Sequence, residues 1–468
     1  MAIVIEQKPN WSVIPVGQEV IFSISDATTL ASHYNVRFYC DVMFSSTTEA
    51  LQSKIVTLKT TPNAAGSGIF DIRRALESEL SADYTIDETN SNVKFKGVTG
   101  IEDAPIHHVA QFTTSKNTSG SFSCNFYVKG STTTRGAAIT VGAVQSSDSR
   151  MVYNGVPDNN DVLYNSNGNY FYYLPDMGIL QDSPTSQFLT GMPTVTYARM
   201  SDAGTVGLFQ GMSHFITGYT GVTNIRYKFY DASGTFIDSY LLACNTSTGG
   251  TSLNAATTDS TKASLFLGVY PANIRQNYAI PSNTAYYTFK GVTDVGVFRT
   301  KEYTVNIIDE CKYPVTRLCW LNKFGTWDYY NFTVKSTKST SADRKFYNSS
   351  RGNWSGTTYK SNHYKGGKRV YQVNSRDTIT LNTEYVSESD GIWLETLMSS
   401  SEVFLIKEGS TWDLGDYSSS NDITDFRDLV EPVVITNSAI TRKTSVNDTL
   451  ISHQFTIEKS NINNTHRS

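Results

Sequence analysis

The 468-residue chain has 39 lysines and arginines against 43 aspartates and glutamates, which gives a formal net charge of -4 at pH 7. A hydrophobic content of 39% excludes a disordered chain, and the slight acidity argues against a general nucleic-acid binder. The 28 tyrosines and 23 phenylalanines favour β-strands over helices. A chain of this length predicts about two to four domains.

In the first part of the chain, apolar residues recur at every second position, which is the period of a β-strand. One such segment has the apolar residues Val36, Phe38, Cys40, Val42 and Phe44, and another has Phe122, Cys124, Phe126 and Val128. Between the two segments, Asp71 is placed to cap a short helix over residues 72–80. The pattern predicts a first β-sandwich over residues 1–112.

The middle and last parts of the chain predict further strands. Residues 224–242 read as a hairpin that turns at Asp231–Gly234, and a second short helix is expected at 388–400, with Ile392, Trp393 and Leu397 against a sheet. We expect a middle β domain with long Ser/Asn-rich loops over 113–300 and a C-terminal β domain over 301–468. The predicted fold class is mainly β, with multi-domain β-sandwiches of immunoglobulin-like or jelly-roll-like type and one or two short helices.

The segment RLCWLNKFGTWDYYNF, residues 317–332, holds the densest group of aromatic residues. Apolar residues occupy both faces of its two predicted strands, and a strand of this kind is usually covered on both sides. Gly325 can adopt the positive φ that a tight connection needs. We predict a buried structural hairpin built on Leu318, Trp320, Trp327 and Phe332. A sugar-binding surface, the alternative, would need exposed rings.

Motifs for catalysis and for metal binding are missing from the sequence. His107 and His108 would point to opposite faces of a strand, Glu102 and Asp103 nearby do not complete a ligand set, and no Cys/His pair has zinc-site spacing. The chain has no G-x-S-x-G, P-loop or dinucleotide fingerprint. We therefore expect no enzyme, no cofactor and no metal, although a pair of glycosidase carboxylates needs no motif. The five scattered cysteines predict reduced thiols.

Charge is unevenly distributed in the last third of the chain. Residues 333–370 contain nine lysines or arginines and one acid, whereas residues 377–431 contain thirteen acids and two basic residues. We predict a basic arm over 335–369 that docks on the acidic surface of a neighbouring copy. A solvated loop is the ordinary alternative. The arm's proposed contact residues are Lys335, Lys338, Arg344, Lys345, Lys365, Lys368 and Arg369.

Four segments together resemble virion structural proteins of tailed bacteriophages, especially tail and neck proteins of short-tailed, crAss-like and related phages. They are NAAGSGIFDIRRALESEL (63–80), ECKYPVTRLCWLNKFGTWDYYNFTVKS (310–336), SDGIWLETLMSSSEVFLI (389–406) and EPVVITNSAI (431–440). The resemblance implies β-sandwich modules that assemble in rings around the portal and tail axis or anchor fibres, without a cofactor. It also implies a virion location after folding in the host bacterial cytoplasm.

The expected partners are therefore other phage virion proteins, namely portal, tail and fibre components, and further copies of this chain in a ring. We expect no direct contact with nucleic acid, and no membrane insertion because the chain lacks an apolar run of about 18 residues. The alternative is a receptor-binding tail fibre or spike that recognises a host surface glycan. A capsule-degrading enzyme would predict β-helix repeats, which the sequence does not show.

Overall fold

The structure, a computed structural model, describes residues 3–9, 12–46, 52–82, 112–114, 119–156, 162–164, 171–173, 182–209, 221–243, 264–275, 278–308, 312–361, 363–406, 430–437 and 452–460. Most elements in these ranges are strands, and the helices are few and short. The prediction of a mainly β fold with several sheets is confirmed. None of the helices in these ranges is long and apolar enough to cross a membrane.

The elements of the first 200 residues are β1 (Val4–Gln7), β2 (Val13–Pro15), β3 (Ile21–Ser25), α1 (Ala27–Ser32), β4 (Tyr34–Ser46), β5 (Ser53–Thr60), β6 (Ser67–Asp71), α2 (Arg73–Glu77), β7 (Phe112–Thr114), β8 (Ser119–Ser131), β9 (Ile139–Ser146), β10 (Arg150–Tyr153), β11 (Val162–Tyr164), β12 (Phe171–Tyr173) and β13 (Val195–Ala198). Those of the next 130 or so are β14 (Thr205–Phe209), β15 (Asn224–Tyr230), β16 (Phe236–Ala243), β17 (Ser264–Gly268), α3 (Pro271–Ile274), β18 (Tyr286–Val292), β19 (Tyr303–Ile307), β20 (Thr316–Leu321) and β21 (Trp327–Phe332). The remainder are β22 (Thr337–Ser349), β23 (Gly352–Ser355), β24 (Thr358–Ser361), β25 (Gly367–Asn382), α4 (Glu388–Ser399), β26 (Val403–Ile406), β27 (Val430–Ile435) and β28 (Gln454–Lys459).

The chain divides into two compact units. The first contains the described residues of Met1–Asp309 and Leu321–Asp328, and the second contains those of Glu310–Trp320, Tyr329–Ser410 and Thr424–Ser468. The tip of the β20–β21 hairpin is thus grouped with the first unit. The finer division at residues 112 and 300 stays a prediction.

A β-sandwich opens the first unit. One sheet has the strand order β1-β3-β6, and the other has the order β2-β10-β8-β4-β5, with β9 also paired to β8. The alternating apolar residues of β3, β4 and β8 fill the space between the sheets, where the rings of Phe22 and Phe126 lie 5.4 Å apart. The period-two pattern of the sequence thus places its apolar faces in one core.

Two further sheets follow in the first unit, with the orders β13-β19-β18-β15-β16 and β14-β17-β7. The predicted hairpin over 224–242 is present as β15 and β16. Asp231 begins its turn, accepting hydrogen bonds from the backbone N–H groups of Ser233 at 2.9 Å and Thr235 at 2.8 Å, and Gly234 has a φ of 81°. An Asx-type turn with glycine in the left-handed region explains why the chain reverses here.

The second unit is built on one sheet with the order β21-β20-β26-β27-β28-β25-β22. Helix α4 packs on this sheet through Trp393, Leu394 and Leu397, which are buried. The prediction that Ile392 also faces the sheet is wrong, because its side chain is 47% exposed. Adjacent helical residues are about 100° apart, so the helix face that buries Trp393 and Leu397 turns Ile392 outwards.

Candidate interaction site

The structure buries all four residues of the predicted structural hairpin. Leu318 and Trp320 are 0% exposed, and Trp327 and Phe332 are 1% exposed. The Trp320 ring lies 5.1 Å from the ring of Trp393, and its indole N–H donates a hydrogen bond to Thr396 Oγ1 at 3.0 Å. Neither tryptophan of the hairpin offers a ring to a ligand.

The other face of the same strands is buried as well. Arg317 is 2% exposed, and its Nη1 donates to Asn331 Oδ1 at 3.1 Å while its guanidinium lies 5.0 Å from the centroid of the Tyr329 ring. A hydrogen bond and contact with the face of an aromatic ring together help to stabilise a buried guanidinium. The aromatic residues of the hairpin therefore fill cores on both of its sides.

A buried polar network centred on Asn322 holds the tip of the hairpin. The Asn322 side-chain amide donates to the carbonyl oxygen of Leu189 at 3.1 Å, to Thr326 Oγ1 at 3.0 Å and to Asp328 Oδ1 at 2.9 Å. Its oxygen accepts from the backbone N–H groups of Phe324 at 2.9 Å and Thr326 at 3.2 Å. One side chain thereby completes the turn and ties it to residue 189.

The carboxylate of Asp328 completes this network. It accepts a hydrogen bond from Thr190 Oγ1 at 2.5 Å and another from the backbone N–H of Gly191 at 3.3 Å. Together with the Asn322 amide, these donors stabilise a carboxylate that is 2% exposed. These hydrogen bonds give Asp328 a structural role in the hairpin.

The basic arm is a β-ribbon, and the alternative of a solvated loop over these residues is wrong. Strand β22 pairs with β25 along its whole length, from Thr337 to Ser349, and the connection between them contains the small hairpin of β23 and β24. Strand β25 pairs with β28 only from Thr378 to Asn382. Over residues 340–349, about 30 Å of extended chain, the ribbon therefore continues beyond the sheet as two strands.

All seven of the arm's predicted contact cations are exposed. The sequence contains no aspartate or glutamate from Arg344 to Arg376, while the same stretch holds eight lysines and arginines. The strands of the ribbon contain only two acids, Asp343 and Asp377, so the ribbon keeps a net positive charge. A strongly charged surface of one sign attracts a partner of the other sign.

Five aromatic residues of the arm and Tyr371 just after it are also exposed, and the sequence pattern had not singled them out. Their exposed fractions are Phe346 48%, Tyr347 43%, Trp354 70%, Tyr359 50%, Tyr364 74% and Tyr371 44%. The ammonium of Lys368 lies 4.0 Å from the centroid of the Phe346 ring, and the rings of Trp354 and Tyr359 meet edge to face at 5.3 Å. Aromatic rings beside cations are typical of protein interfaces. The sequence does contain a sign of this surface. Residues 344–376 include six aromatic residues and eight basic residues but no acidic residue.

A second exposed surface lies on α4. Its outward face presents Glu388, Ile392 and Glu395, which are four and three residues apart, and Tyr385 just before the helix is 73% exposed. The sequence from 378 to 406 has no lysine or arginine, and its five acids are Glu384, Glu388, Asp390, Glu395 and Glu402. The surface is therefore acidic with an apolar centre.

The candidate metal residues and two of the cysteines fall outside the described ranges. These are Glu102, Asp103, His107, His108, Cys244 and Cys311. In the described ranges, no group of three His, Cys, Asp or Glu side chains is arranged to hold a metal ion. Cys40, Cys124 and Cys319 are buried free thiols.

The fold and its exposed ribbon define a multi-sheet β protein with a projecting basic arm. No known protein family and no curated protein matches the chain. Solved structures that share some geometry are native Escherichia coli alpha-2-macroglobulin and Salmonella alpha-2-macroglobulin reacted with methylamine. For each, the identity is 7%, the TM-score is 0.18, and the match covers 83% of this chain but 22% of the other. The chain thus spans about a fifth of those proteins, and a TM-score this low does not indicate a shared fold.

Proposed function

We propose that this chain is a bacteriophage virion structural protein, a tail ring, collar or fibre-anchoring subunit that acts by assembly with its neighbours. Its partners are further copies of the chain and other virion proteins of the portal, tail or fibres, and it folds in the host cytoplasm before it joins the particle. It uses no cofactor and catalyses no reaction. The resemblance of the four sequence segments to phage tail and neck proteins is the reason for proposing a role in a phage particle.

The projecting arm is the observation that carries the proposal. A ribbon with exposed rings and a net positive charge has the composition of an interface. The most aromatic hairpin of the chain, by contrast, is used for core packing. This division of aromatic residues between core and arm favours a protein that holds other proteins over one that binds a small molecule.

The test is the size and shape of the purified chain. We expect concentration-dependent oligomers in light scattering coupled to size-exclusion chromatography, and closed rings in negative-stain electron micrographs. A control variant with residues 350–366 replaced by a short Gly-Ser turn keeps the sheets but loses the end of the arm. A chain that stays monomeric at every concentration would contradict the proposal, and so would a chain that digests a polysaccharide.

A receptor-binding fibre or spike is the second candidate, and one observation favours it. The paired rings of Trp354 and Tyr359 are exposed, and exposed aromatic faces can stack on sugars. Binding of the purified chain to a glycan array would support this function if Trp354→Ala abolished it. The matched control is Tyr34→Ala, which removes an exposed ring outside the arm and should leave glycan binding unchanged.

A further inference from the structure

The arm leaves one edge of its sheet open among the described strands. Its strand β22 forms the edge of the seven-stranded sheet, so one side of its backbone faces no strand among the described elements. Two-stranded ribbons are marginally stable in water on their own, and open edges invite pairing or covering by another chain. A surface that covers the ribbon would therefore stabilise it.

The charge of the arm limits the chemistry of the surface that can cover it. The stretch from Arg344 to Arg376 has eight cations and no acid, and of these cations Arg376 lies 3.6 Å from Glu458, so the remaining positive charge favours an acidic partner. Pairing of two arms with each other would bring like charges together, which is unfavourable. The exposed aromatic rings of the arm would be buried favourably against an apolar contact within that acidic surface.

The outward face of α4 matches both requirements. Glu388 and Glu395 flank Ile392, which is 47% exposed, and Tyr385 lies beside them. The ribbon is exposed in the single chain, and so are Glu388, Ile392 and Tyr385 on the helix side, while Glu395 is half-buried. Both surfaces are therefore accessible to a second copy. An acidic rim around an apolar centre is complementary to aromatic rings surrounded by cations.

We infer that the arm of one copy docks on the outward face of α4 in a second copy, with Lys365, Lys368 and Arg369 against Glu388 and Glu395. This inference rests on the proposed function, because it names the partner surface of the assembly arm. The two contact surfaces are different, so the contact is head-to-tail. Contacts of this type close into rings or extend into filaments.

Charge reversal in trans tests this contact. The arm variant carries Lys365→Glu, Lys368→Glu and Arg369→Glu, and the helix variant carries Glu388→Lys and Glu395→Lys. Each variant alone should associate about tenfold or more weakly than the wild type in sedimentation velocity. An equimolar mixture should associate again into assemblies that contain the two variants in equal number. The intact arm of the helix variant meets the intact helix of the arm variant, and the reversed arm and reversed helix are complementary to each other.

The matched control changes the same number of cations elsewhere. Arg135→Glu, Lys301→Glu and Lys312→Glu replace exposed residues outside the arm, and this variant should associate like the wild type. Thermal unfolding of every variant shows whether it is folded, which matters for Glu388 in the first turn of α4. A further variant with all five reversals at 365, 368, 369, 388 and 395 should recover association.

The outcomes separate this inference from the proposed function. If the wild type is monomeric at all concentrations, the proposed function fails. If the wild type assembles and the arm and helix variants assemble equally well, the inference is wrong while the proposed function stands. A fluorescent single-stranded DNA that binds the wild type but not the arm variant, with assembly unchanged, would also overturn it in favour of a nucleic-acid partner.

Discussion

Asn322 shows how one residue can fix a hairpin. Its side chain serves donors and acceptors of the tip and of residue 189 at once, and it is 7% exposed. Gly325 in the same tip has a φ of 75°, and a Cβ there would lie 2.0 Å from the carbonyl oxygen of Asn154. The hydrogen bonds of Asn322 and the positive φ of Gly325 thus define the turn. The buried aromatic residues define where the two strands lie.

We expect Asn322→Ala to lower the free energy of unfolding by about 2 to 4 kcal/mol, because it removes the acceptor of the buried Phe324 N–H and one donor each from the Leu189 carbonyl oxygen and the Asp328 carboxylate. Urea denaturation followed by tryptophan fluorescence measures the change. The control is Asn353→Ala, which removes an exposed asparagine of β23. A loss below about 0.5 kcal/mol, the usual effect of a surface substitution, would contradict the structural role of Asn322.

The described cysteines are predicted to be unreactive in the folded protein. A hydrogen bond with the Cys40 thiol, together with burial, holds the pKa of Cys124 well above its usual range, and burial raises the pKa of Cys319. Since the thiolate is the nucleophile, a raised pKa reduces alkylation near pH 8.

The measurement is mass spectrometry of peptides after brief iodoacetamide treatment, with and without guanidinium chloride. Peptides containing Cys40, Cys124 and Cys319 should be labelled only in the unfolded sample. The unfolded sample is the internal control for the intrinsic reactivity of each peptide. Equal labelling in both samples would show that these thiols are not buried.

At the scale of elements, two adjacent residues of α4 differ in burial: Trp393 lies in the core and Ile392 lies on the surface. Trp393→Ala should lower the free energy of unfolding by about 3–5 kcal/mol, because it removes an indole packed on Trp320 and on Tyr330. Ile392→Ala, the matched control on the same helix, should change it by about 0.5 kcal/mol or less. Thermal or urea unfolding checks both. Similar losses in the two variants would mean that the helix packs with a different face on the sheet.

The same helix shows what local sequence can and cannot predict. The strict alternation in β4 and β8 identified the residues of the first core, since a single buried face leaves one pattern. In α4 the adjacent residues Ile392 and Trp393 are both apolar, and only the sheet beneath them decides which is buried. The pairing that places β20 beside β26 joins residues some 80 apart, and no local pattern encodes it.

The arm escaped prediction as a ribbon for a related reason. Strand β22 reads TKSTSADRKFYNS, and all but its last residue are exposed, so no apolar alternation marks it as a strand. Its extended form depends on pairing with β25, which is distant in sequence. Charge counting found the segment, because net charge is a property of composition and does not depend on the fold.

At the scale of the whole molecule, the uneven charge predicts how assembly responds to salt. A contact between the basic arm and an acidic surface weakens as ionic strength rises, because the screening length falls from about 10 Å at 0.1 M to about 3 Å at 1 M. We expect oligomers at low salt and smaller species at high salt in light scattering. The hydrophobic cores gain stability from kosmotropic salts, so the monomer should stay folded by circular dichroism throughout the titration.

The control for this titration is the chain with residues 350–366 replaced by a short Gly-Ser turn. It lacks three of the arm's cations (Arg351, Lys360 and Lys365) together with Trp354, Tyr359 and Tyr364. Its association should be weaker at low salt and less sensitive to added salt than that of the full chain. If association of the full chain strengthened with salt, the contact would be driven by apolar burial, and the rings of the arm would then outweigh its charges.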